Sequence, residues 1–437
     1  MTFRKEPFSL LYFLFRPFIW TALRLFYRQI TIIGKENFPR SGPVILIANH
    51  QNALMDPLLL CCFLPRQLHW LSRADVFRKP LIGFFLRMIN MLPIFRKRDN
   101  VDIQSENRKI FSECLRKFKS DSVIALFPEG THHAGRVLHP FKKGMARLAM
   151  EAAGNMDLQI VCIGIDYSDY YSGQSSVILN IGKSFSLKSL ELNGHLPSVK
   201  ELSDTSFKKL ATLMIHLPDE NLQHAVVSLR YAIAFDHWKN KWKEFNWRDE
   251  FLLIQKFIRS LESNPELKRK FIALGNEYQE LIPLIARTEN AEYNRMRAAT
   301  EKQFPLLILL PLLGLLNGVV HFPPSRICHA LKHSLTSDKQ FHSSIMLLAG
   351  MVLYPVYWIV LFFLLAWISN AVVACCILGF FILMLRIWNI KRFRIYADED
   401  EYALKKKVEE AFPLALRFKW MNEKLVAIVK EVSVRVG

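Results

Sequence analysis

The sequence predicts an α/β domain with a largely parallel sheet, then a helical region and a C-terminal transmembrane helical hairpin. Three observations carry this. Short, β-branched apolar runs alternate with helix-length segments between residues 31 and 190, the pattern of parallel strands buried on both faces. No Asp, Glu, Lys or Arg occurs from Phe341 to Leu385, and the stretch Ile345 to Leu385 is about twice the roughly 20 residues one bilayer span needs. The 437-residue chain is 51% hydrophobic yet has a formal net charge of +19. A chain this apolar is not disordered. A nucleic-acid binder is usually basic and polar rather than basic and apolar, so the pairing points to an anionic membrane surface or an anionic substrate. No nucleic-acid partner is expected.

Residues 1–30 mix aromatic, aliphatic and basic side chains. On a helix Lys5, Arg16, Arg24 and Arg28 fall on one side. The longest uncharged run, Pro7 to Phe15, is too short to span. Pro17 is expected to split the segment, which reads as an interfacial membrane helix or pair of helices, the other reading being an ordinary helix packed on the domain. Residues 31–215 form the α/β domain. Its strands are Val44–Ala48, after the turn signal Ser41-Gly42-Pro43, then Val123–Phe127, Gln159–Ile165 and Val177–Ile181. Helices are expected at 57–63, 103–118 and 142–153. Residues 216–303 read as a charged helical region. In it Trp238, Trp242 and Phe245, interleaved with lysines, fit either a second membrane-surface helix or an ordinary packed one.

Residues 304–390 form the membrane segment. The run 304–320 contains Pro305, Pro311 and Asn317 and is read as re-entrant. The hairpin 345–385 turns near Ser369-Asn370. Lys332 and Lys339 precede it, and Arg386, Lys391, Arg392 and Arg394 follow. The positive-inside rule therefore puts both ends in the cytoplasm. This predicts an integral membrane protein with its α/β domain on the cytoplasmic face. Residues 391–437 are a charged, helical cytoplasmic tail. Seven cysteines, without zinc spacing, read as buried thiols of a reducing compartment.

Three clusters carry chemistry. In Asn49-His50-Gln51-Asn52-Ala53-Leu54-Met55-Asp56, a His and an Asp lie between a strand and a helix. Imidazole takes up a proton near neutral pH, and a carboxylate on its far nitrogen orients it. From the residues alone His50 is either a general base or a hydrogen-bonded strand-end histidine. Asp56, followed by Pro57, is also a natural helix N-cap. No G-x-S-x-G nucleophile elbow exists, so a base here acts directly on a substrate hydroxyl. The second cluster is Phe127-Pro128-Glu129-Gly130-Thr131 with Lys142 and Lys143 beyond it. Glu129 is either a group that holds substrate hydroxyls or a solvated turn residue. The third is Phe95-Arg96-Lys97-Arg98, a phosphate-binding fork or a solvated basic run. Histidines 132, 133, 139, 329 and 333 lack an acidic ligand pattern, and no metal is expected.

In this order the three clusters resemble the glycerophospholipid acyltransferase family, which includes glycerol-3-phosphate and 1-acylglycerol-3-phosphate acyltransferases. The entry Ile33-Gly34-Lys35-Glu36-Asn37-Phe38-Pro39 is also similar, and the resemblance covers about residues 30–215. It implies an acyltransferase domain that moves a fatty acyl group from acyl-CoA or acyl carrier protein to a glycerol hydroxyl in phospholipid synthesis. It makes His50 the general base and Asp56 its partner. Arg96 and Arg98 match the block that contacts the acceptor's phosphate. Glu129 and Gly130, with Thr131 and Lys142 nearby, match the block that positions the acceptor, and Ile160–Ile165 matches a strand near the donor site.

Five residues separate His50 from Asp56 where the family usually has four, which places the chain nearest the subgroup with five. His132 stands where an arginine is usual, and Cys162 replaces a proline in the fourth block. The resemblance requires no cofactor beyond the acyl-donor co-substrate. The expected partners are membrane lipid, that donor, and a glycerol phosphate or lysophospholipid acceptor. Two other readings are acylation of another lysolipid, such as an aminolipid, and an inactive membrane adaptor.

Overall fold

The computed structural model describes residues 10–78, 80–96, 102–154, 156–171, 173, 175–191, 195–239, 247–277, 309–391 and 424–428. The chain forms two compact units. One comprises residues 1–216 with 328–353, the other residues 217–327 with 354–437.

The first unit is built on a seven-stranded sheet. Its strands are β1 (Gln29–Ile33), β2 (Val44–Ala48), β3 (Leu68–Arg73), β4 (Met91–Ile94), β5 (Val123–Leu126), β6 (Gln159–Tyr167) and β7 (Ser176–Ile181). They lie in the order β1-β7-β6-β2-β5-β3-β4. Every pairing is parallel except β6 with β7. The sheet is thus mixed and mostly parallel. Strands β1, β3 and β4 add to the four read from sequence. Their signals are weak: β3 is the polar Leu-His-Trp-Leu-Ser-Arg, and β4 contains Pro93. Proline is tolerated there because β4 is an edge strand.

Strand β2 is central and wholly buried. Successive side chains point to opposite faces, and each face has its own core. Val44, Leu46 and Ala48 pack with Val123, Ala125, Val161 and Ile163 under α1 (Leu10–Phe26) and α2 (Met55–Phe63). Ile45 and Ile47 pack with Ile124, Ile160 and Cys162 under three other helices. These are α4 (Ile103–Phe118), α5 (Gly144–Ala153) and α6 (Val199–Ala211), while a short α3 (Pro80–Met88) joins β3 to β4. At Gly164 in β6 a Cβ atom would lie 2.3 Å from the Leu213 carbonyl oxygen, so only glycine admits that backbone.

Helix α1 corrects one expectation. Pro17 does not split it: the helix runs unbroken from Leu10 to Phe26. The hydrogen bond proline forfeits would have reached the carbonyl of Phe13, an exposed residue whose carbonyl is not stranded in a core. Arg16 faces the domain, while Arg24 is exposed. The Arg16 guanidinium donates to the carbonyls of Cys62 (3.2 Å) and Leu64 (2.5 Å) at the end of α2, a C-terminal cap. Arg24 lies 5.2 Å over the rings of Trp20 and Phe63. Phe13, Leu14, Phe15, Phe18 and Trp20 are left exposed.

The second unit contains α7 (Glu220–Lys239), α8 (Trp247–Glu262) and α9 (residues 265–277). Arg230 pairs with Glu250 at 2.6 Å and covers the Trp247 ring at 4.6 Å. The Ser228 hydroxyl donates to the Gly275 carbonyl. Trp242 and Phe245, like most of the tail, lie outside the described residues. Three further helices run through both units or lie in the second: α10 (Leu309–Leu335), α11 (His342–Ile368) and α12 (Ala371–Lys391). Pro311 falls in the first turn of α10, where an amide N–H has no intrahelical partner in any case.

Among the described residues one helix, Lys339–Ile368, is long and apolar enough to cross a membrane, with a mean hydropathy of 2.2. The described apolar part of α12, Ala371–Phe381, is shorter than a span. The seven cysteines are free; Cys375 and Cys376 in α12 are exposed rather than buried.

Candidate active site

The sheet register explains why distant clusters meet. Ala48 at the end of β2 is level with Ile163 of β6, and Ile47 is level with Leu126 of β5. Arg73 and Ile94 close β3 and β4 side by side in the same direction. His50, Phe127 to Glu129, Phe95-Arg96 and Tyr167 therefore emerge at one edge of the sheet, the carboxyl end of its parallel strands. Open α/β sheets bind ligands at that edge.

The link between β2 and α2 is held at nearly every residue. Asn49 extends the β2–β6 ladder with its side chain: Nδ2 donates to the Ile165 carbonyl (2.9 Å) and Oδ1 accepts from the Ile165 amide (2.7 Å). His50 Nδ1 lies 2.8 Å from Asp56 Oδ2. The same oxygen accepts the amides of Gln51 and Asn52, each at 2.8 Å. Asp56 Oδ1 accepts the Tyr167 hydroxyl at 2.5 Å. Asp56 is completely buried, and its charge is met by four donors.

This corrects the N-cap reading of Asp56. Leu54 occupies the N-cap position of α2, and the carboxylate reaches back to loop amides rather than forward to helical ones. Tyr167 escapes sequence reading because 110 intervening residues separate it from Asp56 and no spacing joins them. Burial first, and then Asp56, hold its phenol well above the ordinary value, so it remains an O–H donor.

The imidazole of His50 lies flat on Phe127, with centroids 3.9 Å apart and planes at 7°, and Phe127 stacks in turn on Trp70. Because Asp56 holds Nδ1, Nε2 is the nitrogen left to face a substrate. No serine, threonine or cysteine bonds to His50 among the described contacts. Thr131, the nearest hydroxyl in the second cluster, bonds to His133 Nε2 at 2.7 Å.

Glu129 turns inward. Its Oε1 accepts the His50 amide (2.8 Å), its Oε2 accepts the His139 amide (2.9 Å), and only 4% of the residue is exposed. Burial pushes its carboxyl up to about 7. The His133 amide donates to the His50 carbonyl at 2.9 Å. The Glu129 loop thus fixes the backbone of His50 from both sides. Its carboxylate is not displayed to solvent as the sequence suggested, because two converging amides bind both oxygens.

The Arg96 guanidinium donates to the Gly130 carbonyl at 2.5 Å. Gly130 has φ +78°, and the Lys142 side chain runs alongside it, 3.4 Å from where a Cβ would stand. Arg96, Gly130 and Lys142 are therefore brought together; Arg98 lies outside the described residues. Arg136, the other basic residue of this loop, is buried, 3.5 Å from Asp166, and donates to the Tyr167 carbonyl at 2.9 Å, so it is a scaffold residue. His132 meets His50 edge-on at 5.4 Å. Burial, and then His50, lower its imidazole from the ordinary value, which leaves it a poor cation for a phosphate.

These features define a class: an α/β domain that presents a carboxylate-held histidine and a neighbouring arginine and lysine at one sheet edge, with no serine, threonine or cysteine bonded to that histidine among the described residues. Residues 29–166 match the family model described as Acyltransferase. The chain is 27% identical over 146 residues to the chloroplast 1-acyl-sn-glycerol-3-phosphate acyltransferase of Arabidopsis thaliana, covering 33% of this chain and 39% of that protein. It is 28% identical over 140 residues to the same enzyme of Borreliella burgdorferi (32% and 54%) and 27% identical over 156 residues to the mouse alpha form (35% and 50%). A crystal structure of the 1-acyl-sn-glycerophosphate acyltransferase of Thermotoga maritima aligns with 45% of this chain and 76% of that one, at 20% identity and a TM-score of 0.34. Residues 29–166 thus carry an acyltransferase domain similar to those of glycerophospholipid acyltransferases. The chain spans about half or less of the length of these curated relatives.

Proposed function

We propose that the protein is a membrane-bound O-acyltransferase that moves a fatty acyl group from acyl-CoA or acyl carrier protein to a hydroxyl of 1-acylglycerol-3-phosphate or glycerol-3-phosphate. The observation that carries this reading is the buried Asp56 carboxylate 2.8 Å from His50 Nδ1, which leaves Nε2 as the base. In the mechanism, the acceptor's phosphate docks on Arg96 and Lys142, with Arg98 as a further donor. Nε2 of His50 takes the hydroxyl proton as the oxygen attacks the thioester carbonyl. The C–O bond forms, the C–S bond breaks, and the imidazolium returns the proton to the departing thiolate. Asp56 stabilises the imidazolium throughout. The proposal needs no metal, cofactor or acyl-enzyme.

For the membrane, we propose that the exposed aromatic face of α1 lies in the interface and that α11 and α12 form the transmembrane hairpin. The charge-free run from Phe341 to Leu385 covers α11 and the first 15 residues of α12, and the basic residues flanking that run favour a cytoplasmic domain. The test is purified protein given labelled acyl-CoA or acyl carrier protein with a panel of acceptors. Phosphorylated acceptors are expected to react, and His50→Ala to abolish turnover while leaving membrane association intact. Acylation of only non-phosphorylated lysolipids would overturn the arginine assignment. Undiminished turnover by the alanine variant would overturn the mechanism.

A further inference from the structure

The matched domain ends at residue 166, yet the link between His50 and Asp56 is also held from residues nearly 300 positions later. Ser343 and Ser344 open α11 and are buried, at 1% and 4% exposure. The Ser343 hydroxyl donates to Asn52 Oδ1 at 2.7 Å. The Leu54 amide donates to Ser344 Oγ at 3.2 Å. Between these two anchored residues sits Ala53, with φ +33°, a left-handed value that L side chains rarely adopt. Such a conformation persists only where its surroundings over-determine it.

Asn52 is the junction. Its amide donates to Asp56 Oδ2 (2.8 Å), its Nδ2 to the Tyr170 carbonyl (2.8 Å), and its Oδ1 takes the serine. The same segment reaches the open side of the base. Phe341 meets His132 edge-on at 4.9 Å, and His132 meets His50 at 5.4 Å. Leu347, one turn further on, is part of the core that holds α2, so the start of α11 is packed into the catalytic unit.

We infer that the opening of α11 belongs to the catalytic machinery, with Ser343 a positioning residue that acts through Asn52 to hold the link that sets Asp56 against His50. The link has one residue more than is usual in the family, and the serines bracket the strained residue this longer link contains. The inference rests on the acyl-transfer reading above, and the experiment separates the two.

Full-length protein in mixed micelles is assayed as wild type, Ser343→Ala, Ser343→Thr, Asn52→Ala and the double Ala variant. Removing the serine leaves a buried amide oxygen without a donor, so kcat is expected to fall about tenfold with both KM values within about twofold. Thr keeps the hydroxyl and is expected to recover most of the rate. If Ser343 acts through Asn52, the double variant is no slower than Asn52→Ala alone. Hydrogen exchange of the 49–56 peptide, a readout independent of turnover, is expected to quicken in Ser343→Ala.

A wild type inactive on every acceptor would sink the acyl-transfer reading while leaving the exchange result to test the clamp. An active wild type, with a Ser343→Ala variant of unchanged kcat and unchanged exchange, would overturn the inference. So would additive losses in the double variant, which mark a general folding effect.

Discussion

Asp56→Asn tests the dyad with the least disturbance of shape. An asparagine carbonyl in place of Oδ2 still accepts from His50 Nδ1, Gln51 and Asn52. Its amide then faces the Tyr167 oxygen, which can turn to accept. Only the charge is lost. With the imidazolium and carboxylate charges about 4 Å apart and an effective dielectric of about 20, their attraction is worth roughly 4 kcal/mol. His50 retains 16% side-chain exposure, which argues against a lower dielectric. That attraction acts only once the base is protonated, so it lowers the barrier rather than the ground state. The expected loss in kcat is about a thousandfold. Stability should be unchanged or raised, since a fully buried charge is removed. Single-turnover acyl transfer and thermal unfolding of the two proteins measure both. A variant that keeps more than a tenth of the wild-type kcat would refute the role of Asp56 as the charge behind the base.

Four further outcomes are expected. Tyr167→Phe leaves Asp56 Oδ1 without its hydroxyl donor; it should cost about 1.5–3 kcal/mol in unfolding free energy and slow turnover less than Asp56→Asn does. Glu129→Gln is not conservative, because two backbone amides need two acceptors and an amide oxygen supplies one; chemical denaturation should show a loss of about 1–3 kcal/mol. The Glu129 carboxyl titrates near 7 when folded and near 4.5 when free, so the stability its protonated form contributes is full below pH 4.5 and is lost as pH rises to about 7. A stability profile from pH 4 to 8 should show that decline in the wild type and not in the glutamine variant. Gly164→Ala drives a Cβ into the Leu213 carbonyl and should lower the melting temperature by the equivalent of about 1–3 kcal/mol, while surviving folded protein keeps its kcat.

The central strands and the chemistry-bearing residues were legible because their signals are local. Val44–Ala48 and Val123–Leu126 are uninterrupted apolar runs, and a strand buried on both faces needs nothing else. Edge strands have one neighbour and tolerate polar residues and proline, so β3 and β4 left little trace. The helical period put the arginines of α1 on one side, but periodicity cannot say which side faces protein. Arg16 faces inward because the carbonyls at the end of α2 lack partners there, and that requires two elements to meet.

Composition already joined strong hydrophobicity to a charge of +19, and the order of the clusters around His50, Arg96 and Glu129 already indicated acyl-transfer chemistry. Charge and an apolar helix follow from residue type alone, whereas the acyl-transfer reading rests on the resemblance of those clusters to a known family, since each residue by itself fits a bland role as well. The roles that depend on a partner were settled by the tertiary structure alone. Glu129 became the brace of the His50 backbone, Tyr167 the second hold on Asp56, and the serines of α11 the anchors of the link between them. A hydrogen bond acts over about 3 Å, and only the fold brings groups 79 to 291 residues apart within that reach.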